Sequence, residues 1–593
     1  MIAPVEHRYR VRVVPELHEL EVELQMTLPG PRTAALFVLP TWVPGAYALM
    51  RYARDLFSVE ARDLDSGRAL KVTREGWSGF HVEGPVTAVG ISYRVSAFDP
   101  AWGELVGFVD EDHALFLGTR LLFLADTEGP CRVNYLLPSG WALHHPAGAK
   151  PLSEFEYLYP AYRTLLDSPV VVGTFQRQTR LCHGVAFHTV FVDHAAGQAE
   201  GIDSLISAFM AVAEETYQLF GTFPFQHYTF ICSTNPTAHW GLEHASSTMV
   251  SFGPHVFIDP ARRADAIRVV AHELFHAWNV CRLRPAPLEQ MDLVHGSFPD
   301  ALWVSEGFTR YYEFLLCVRA KELTPEALFS NVLNFFCHLQ AMPAYGRVAL
   351  ADSSRAAFLN HSKYPGSINN TIDFYDKGML VAFELDAFLR VLTPADSLDS
   401  AFADFYTAFV GKGAGFSSQD LQDFMERRAP GAGVLLEQRV NAPGGLTVLE
   451  RLESLGFSVE SHDVWTLGLV LKENLGPELA NVLDDSPAGR AGFAAGDVLL
   501  QVDGHPFDLK TLKWLIRRSG PMLLSVRRGA RTLVKTVSPV TRRDPFRLTW
   551  VGGAPERLER IQMWLKRPEL KWKDGEEIAL GAFDNFHGIQ AVI

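Results

Sequence analysis

No stretch of 18 apolar residues occurs in the 593-residue chain, so the sequence offers no helix that would span a bilayer. Clusters of Lys and Arg are missing too, and a net charge of -14 disfavours nucleic acid and anionic membrane surfaces as partners. Cysteine is scarce. The six residues Cys131, Cys182, Cys232, Cys281, Cys317 and Cys337 show no paired spacing, which suits free thiols in a reducing compartment rather than a disulfide framework. The opening Met1-Ile2-Ala3-Pro4-Val5-Glu6-His7-Arg8 lacks the apolar core of a secretory signal, which makes the cytoplasm the expected location. What is present is ordinary for a folded protein, 48% hydrophobic and 21% charged residues, which excludes a disordered chain. The length exceeds what one core can fill, and roughly three or four domains are expected.

One stretch carries most of the chemistry. His272-Glu273-Leu274-Phe275-His276 sits inside an apolar-faced segment, Ala261 to Val280, with Ile267, Val270, Leu274, Ala277 and Trp278 at helical spacing and no Pro or Gly to interrupt it. A four-residue spacing puts both imidazoles on one helical face, where their ring nitrogens can reach one ion at about 2.0 Å. Glu273 leans toward the same ion from the next row and is placed to take a proton from the water that the ion polarises. With 21 His in the chain a chance match is expected only on the order of a few hundredths of a time, so zinc binding is the reading the motif and its flanks favour.

A catalytic zinc takes three protein ligands and keeps its fourth position for water. The third ligand is therefore expected downstream, and Glu306 is the leading candidate. It lies in Ala301-Leu302-Trp303-Val304-Ser305-Glu306-Gly307-Phe308-Thr309-Arg310-Tyr311-Tyr312, at the start of a second apolar-faced helix, where a Glu among Trp303, Val304 and Phe308 needs a cation if buried. Asp292, His295 and Asp300, in a Gly- and Pro-containing connection, are its rivals. A first-turn carboxylate held there only by the helix dipole is the alternative role for Glu306.

These residues resemble the gluzincin metallopeptidases of the aminopeptidase N clan, and within it the glycyl aminopeptidase family. The likeness rests on His272 to His276 followed by Ala277-Trp278-Asn279-Val280-Cys281-Arg282-Leu283-Arg284-Pro285 and then Trp303 to Tyr311. It extends to Leu39-Pro40-Thr41-Trp42-Val43-Pro44-Gly45-Ala46-Tyr47, to Trp240-Gly241-Leu242-Glu243-His244 and to Tyr375-Asp376-Lys377-Gly378. The resemblance implies one zinc ion held by His272, His276 and Glu306, and a substrate-binding segment Gly241-Leu242-Glu243 on an edge strand. There Glu243 receives the free α-amine, with His244 in place of a more usual Asn. A carboxylate at a fixed distance from the metal favours an ammonium and so measures one residue from the chain end. A Glu that closes a turn and pairs with a surface Arg is the competing role. Tyr375 is implied as the donor that stabilises the developing oxyanion, with Tyr311, Tyr312 and Tyr364 as chemically equivalent competitors. Asn279, one turn below His276, is placed to orient that ligand.

Periodicity divides the chain. From Arg8 to about Arg177 apolar residues alternate with period two, as at Tyr9/Val11/Val13, Leu20/Val22/Leu24 and Ile91/Tyr93/Val95, which predicts an all-β domain over 1–177, saddle-like by the resemblance. Strands at Val185 to Val192 and Tyr228 to Ser233 lead into helical patterns at Ile202 to Phe220, Ala261 to Val280, Ala301 to Val318, Pro325 to Leu339 and Met379 to Leu392. These predict a thermolysin-like, mostly α catalytic domain over 178–430, with Ala344 to Asn370 as a loop at the cleft rim. After a helical connection over 431–455, Asp485-Ser486-Pro487-Ala488-Gly489-Arg490-Ala491-Gly492-Phe493-Ala494-Ala495-Gly496-Asp497 resembles a bacterial PDZ domain, expected over 456–541. In such a module Leu467-Gly468-Leu469-Val470 would hold a peptide's terminal carboxylate, unless the module serves only as a structural appendage. Residues 542–593 are set apart as a C-terminal tail. The fold class expected is multidomain α+β. The expected function is a zinc aminopeptidase acting on peptides with a free, small first residue. A zinc endopeptidase of the same fold and a non-catalytic PDZ peptide-binding protein with a vestigial lobe remain as alternatives.

Overall fold

The computed structural model describes residues 5–43, 45–99, 101, 106–192, 200–236, 240–360, 364–393, 396–472 and 476–580. Pro44 of the quoted N-terminal segment, the first four residues and 581–593 of the proposed tail lie outside the described residues. The chain forms two compact units, Met1–Ser297 and Phe298–Ile593.

In the first unit the period-two pattern becomes a ten-stranded sheet. His7–Val14, Glu19–Val38 and Gly79–Ser96 lie side by side in it, and the register aligns Val11 with Val22 and Val22 with Tyr93. One row of apolar side chains thus crosses three strands on a single face, and Tyr9, Leu20, Leu24, Ile91 and Val95 are all buried with it. A four-stranded sheet that includes His113–Phe116 and Val170–Gly173 completes this β-rich part. A five-stranded sheet follows in the order Gln176–Cys182, Val185–Phe191, His227–Ser233, Ser247–Ser251, Trp240–His244. Against it pack the helices Ile202–Phe220 and Pro260–Phe275.

The second helix starts where the sequence provides for it. Asp259 caps it by accepting from the N–H groups of Ala261 and Arg262, and Pro260 occupies the first turn, where a missing N–H costs nothing. It ends earlier than the periodicity predicts, at Phe275 rather than Val280. His276 caps it with helical dihedrals, and a chain of turns follows in which Cys281 N–H donates to His276 O and Leu283 N–H to Trp278 O. Val280 takes a positive φ of 94°, so apolar spacing continues past the point where the backbone leaves the helix.

The second unit is helical over Trp303–Phe308, Thr309–Arg319, Pro325–Ala341 and Phe374–Leu392. The segment expected as a loop carries short helices instead, Leu350–Arg355, Ala357–Asn360 and Ser367–Asn370, because buried Leu350, Ala357 and Ile368 give it apolar anchors that its Gly and Asn residues hide in the sequence. Its C-terminal part holds a two-stranded sheet, a four-stranded sheet and a three-stranded sheet. Residues beyond 541 do not form a loose tail where described. Val540–Trp550 pairs with Phe457–Thr466, and the helix Pro555–Leu565 buries Trp564, whose indole N–H donates to Tyr311 Oη at 2.8 Å.

Candidate active site

The motif residues lie on the last turn of the helix Pro260–Phe275 and its cap. His272, Glu273 and His276 are 8%, 6% and 1% exposed. The two imidazoles stand edge to face with centroids 4.6 Å apart, the arrangement that one-turn spacing demands. His276 Nδ1 lies 2.9 Å from the backbone carbonyl of Asn279, so Nδ1 carries the proton and the lone pair is left on Nε2, the state a metal ligand needs. The backbone carbonyl of Asn279 thus orients His276.

Glu243 comes from the edge strand Trp240–His244, where it pairs with Thr248 of Ser247–Ser251. It is 6% exposed, and its carboxylate forms a group with Glu273 and His276 in which the ligand atoms lie within 4.8 Å of one another. Two glycines make this approach feasible. A Cβ on Gly241 would stand 2.2 Å from Glu273 Oε1, and one on Gly45 would stand 2.5 Å from Glu243 Oε2. Gly45 also needs its positive φ of 76°, so both the space and the backbone conformation call for glycine there. Its loop is anchored by Thr41, whose N–H donates to Leu293 O and whose hydroxyl donates to Val294 O.

The strand bearing Glu243 is pinned where it ends. Asp167 accepts from the Ala245 N–H at 3.0 Å and lies 3.1 Å from His244 Nδ1. Arg282 donates through one nitrogen to Ala245 O and Ala277 O, both at 2.7 Å, and so ties the turn after Glu243 to the turn after His276. Sequence reading assigned Arg282 no role although it stands in the quoted motif, and Asp167 gives no sequence signal at all.

In the second unit Glu306 is 2% exposed and lies in a π-helical turn, Trp303–Phe308, a local widening that recurs at functional sites. Its rivals are engaged at the surface: Asp292 holds His295 at 2.9 Å and Asp300 holds Arg355 at 3.2 Å. Tyr375 sits in the first turn of Phe374–Leu392, its N–H accepted by the Asp373 cap, its ring stacked on Phe374 and covered by the Arg310 guanidinium at 4.8 Å. The π turn and this helix cross at Gly307 and Gly378, where an added Cβ on either would meet backbone at 2.4 and 2.6 Å. Of the competing tyrosines, Tyr311 is fully buried and donates to Asp386 at 2.6 Å, which removes it from any substrate. Lys377 is structural: burial, then Arg439, pull its pKa down to about 8, and it donates to Ala442 O.

Leu467, Leu469 and Val470 are buried, the first two in the core of the C-terminal module, and Gly468 turns at φ 78°. The Gly468 N–H donates to Thr466 Oγ1 at 3.0 Å, and its carbonyl accepts from Leu483 N–H.

Known proteins provide a comparison. A family model described as M61 glycyl aminopeptidase matches residues 265–381, and the peptidase M61 N-terminal domain model matches residues 8–174. An aminopeptidase N family protein from Idiomarina loihiensis has the same fold, with a TM-score of 0.83 at 20% identity over 94% of this chain and 100% of that one. An M1 zinc metallopeptidase from Deinococcus radiodurans aligns at a TM-score of 0.45 and 14% identity over 74% of this chain and 94% of that one. No curated protein matches the chain. The family matches support a metallopeptidase of the aminopeptidase type, built as a multidomain α+β chain with a β-rich N-terminal part. No described helix is long and apolar enough to cross a membrane.

Proposed function

We propose that the chain is a zinc-dependent aminopeptidase of the glycyl aminopeptidase type, which removes one small residue from peptides with a free N-terminus. The observation that carries the reading is the buried convergence of the Glu243 and Glu273 carboxylates on His276, one turn from His272. Two anions and an imidazole held within 4.8 Å away from water form a stable pocket when cations enter it, one on the imidazoles and one at Glu243. The family model that matches residues 265–381 spans both the histidines and Glu306, and the three have the donor composition of a catalytic zinc site.

His272 and His276 would hold the metal through ring nitrogens and Glu306 through a carboxylate oxygen. A zinc ion held there would supply Lewis acidity, lowering the pKa of its water to about 7. Glu273 takes the proton from the attacking water and delivers it to the leaving amine as the C–N bond breaks. Glu243 receives the substrate α-ammonium, so the reacting carbonyl is the first one in the peptide. Gly241, beside Glu273, forms the wall of that subsite, whereas the Leu242 side chain, turned to the opposite face of the strand, is buried in the core with Val106, Leu115 and Met249. Tyr375 donates its phenolic O–H to the carbonyl oxygen as charge develops on it.

We further read the module over 456–541 as PDZ-like and as a structural appendage. Asn369 supports this: its amide donates to Val482 O at 2.9 Å and accepts from Asp484 N–H at 2.9 Å, while Arg347 pairs with Asp484 and Asp485. A peptide carboxylate would have to use N–H groups of Leu467 to Val470 other than that of Gly468.

A panel of aminoacyl-p-nitroanilides, free and N-acetylated, tests the reading with and without a chelator. Hydrolysis of the free Gly and Ala substrates, lost on chelation and restored by zinc, is the expected result. Equal cleavage of the acetylated substrates would make the chain an endopeptidase. Inactivity after zinc reloading would leave only a binding role.

A further inference from the structure

We propose that Cys182, His183 and Glu214 form a second divalent-metal site, selective for zinc-like borderline ions, on the face of the first unit built by the hairpin tip and the helix Ile202–Phe220. Their sulfur, ring nitrogen and carboxylate oxygen all lie within 4.8 Å of one another. Glu214 Oε2 is the hub, 2.9 Å from His183 Nε2 and 3.6 Å from Cys182 Sγ. Protons now occupy the space between these donors. An ion at about 2.0 to 2.3 Å from each would replace them, releasing the thiol proton to solvent while the imidazole proton passes from Nε2 to Nδ1.

The surrounding side chains hold the donors as a ligand set requires. Gln218 donates to the other Glu214 oxygen at 3.1 Å, and the Tyr217 ring lies parallel to the His183 ring at 3.6 Å and 8°. Residues 214, 217 and 218 stand three and four apart, so one helical face supplies a ligand, its hydrogen-bond support and a stacking plate. The hairpin solves a different problem. Consecutive strand residues point to opposite faces, which would separate Cys182 from His183. Here the strand Gln176–Cys182 ends at Cys182, and His183 and Gly184 form a two-residue turn at φ 46° and 80°, which brings the imidazole to the side of the thiol. Cys182 is buried while His183 and Glu214 are 37% and 42% exposed, so an ion enters from solvent past the two open ligands. A mixed S/N/O set with one position left for water selects zinc over magnesium or calcium. Binding would clip the hairpin to a helix whose Phe209 and Phe220 pack on Phe230 and Trp278.

The test is a cobalt(II) titration of the full metal-free chain, followed by its near-ultraviolet thiolate-to-cobalt absorption. Two equivalents and the thiolate band are expected, since the ligands proposed for the first site include no sulfur. Cys182→Ser should bind one equivalent, lack the band and keep its hydrolytic activity. His183→Ala should do the same, and Cys281→Ser should keep both ions and the band. In His272→Ala the band should survive, which separates this site from the catalytic one. A wild-type chain without the band, or a Cys182→Ser chain that retains it, would overturn the proposal. Excess zinc should raise the Tm of the wild type already carrying one ion and leave that of Cys182→Ser unchanged; an equal rise in both would count against the clip.

Discussion

Two clusters of side chains that could hold a metal lie among the described residues of the first unit, and they are built in opposite ways. At His272, Glu273 and His276 one buried helix turn supplies three groups, and Gly241 and Gly45 admit Glu243 to within contact of them. At Cys182, His183 and Glu214 a hairpin tip and a separate helix meet at the surface, with two of three ligands open to water. Burial makes charge at the first cluster costly unless it is matched by a cation, which suits catalysis. Exposure makes the second tolerant of an empty state, which suits a clip. Gathered imidazoles alone do not make a metal site, however. His144, His145, His188 and His227 also gather in this unit, with ring centroids 5.8 to 6.2 Å apart along the chain of contacts, yet they form no group of three donors within reach of one ion among the described residues.

The sharpest way to break this comparison is Glu273→Gln. It should lower kcat by about 10³-fold while elemental analysis shows zinc unchanged, because an amide keeps the shape and cannot take the proton. Retained turnover would reject Glu273 as the base. Gly241→Ala comes next. Its methyl would force the Glu273 carboxylate aside, since the Cβ position lies 2.2 Å from Oε1, and kcat should fall by about 10²-fold at unchanged zinc content. Gly45→Ala acts one step further out, on Glu243. It should raise KM for free-amine substrates by about tenfold and spare N-acetylated ones; an equal effect on both would show that Gly45 serves only the backbone.

A last effect, on stability rather than on turnover, sharpens the contrast with the imidazole group. Burial, then His188 and Arg177, lower the His144 pKa to about 3, below the ordinary value of 6.5 that applies on unfolding. The unfolded chain therefore binds the extra proton first. The stability is fully present above about pH 6.5 and is lost as pH falls toward 3, amounting to about 2 kcal/mol between pH 7 and pH 5. Denaturant midpoints at the two pH values check this, and His144→Gln should flatten the difference. A remainder is expected from His7, which burial lowers to about 4.

The site was legible where its residues are close in sequence. His272, Glu273 and His276 share one turn, so a period fixes their geometry, and Tyr9, Val11 and Val13 reveal their strand in the same way. The helix end was not legible, because Ala277 and Trp278 continue the apolar rhythm although the regular helix ends at Phe275. Arg282 and Asp167 were missed for a related reason: their partners, Ala245 and His244, lie 37 and 77 residues away. The short helices within 344–370 were hidden by their Gly and Asn content, and Trp564 by its place near the chain end.

The amino-acid order alone determined that a helix would present two imidazoles and a carboxylate to one point, because helical geometry is local and needs no partner. Which carboxylates and glycines would face that point, and that a hairpin thiol would come to rest beside Glu214, only the tertiary structure decided. Those contacts join residues tens to hundreds of positions apart, and they form only when the apolar faces of strands and helices find one another and exclude water.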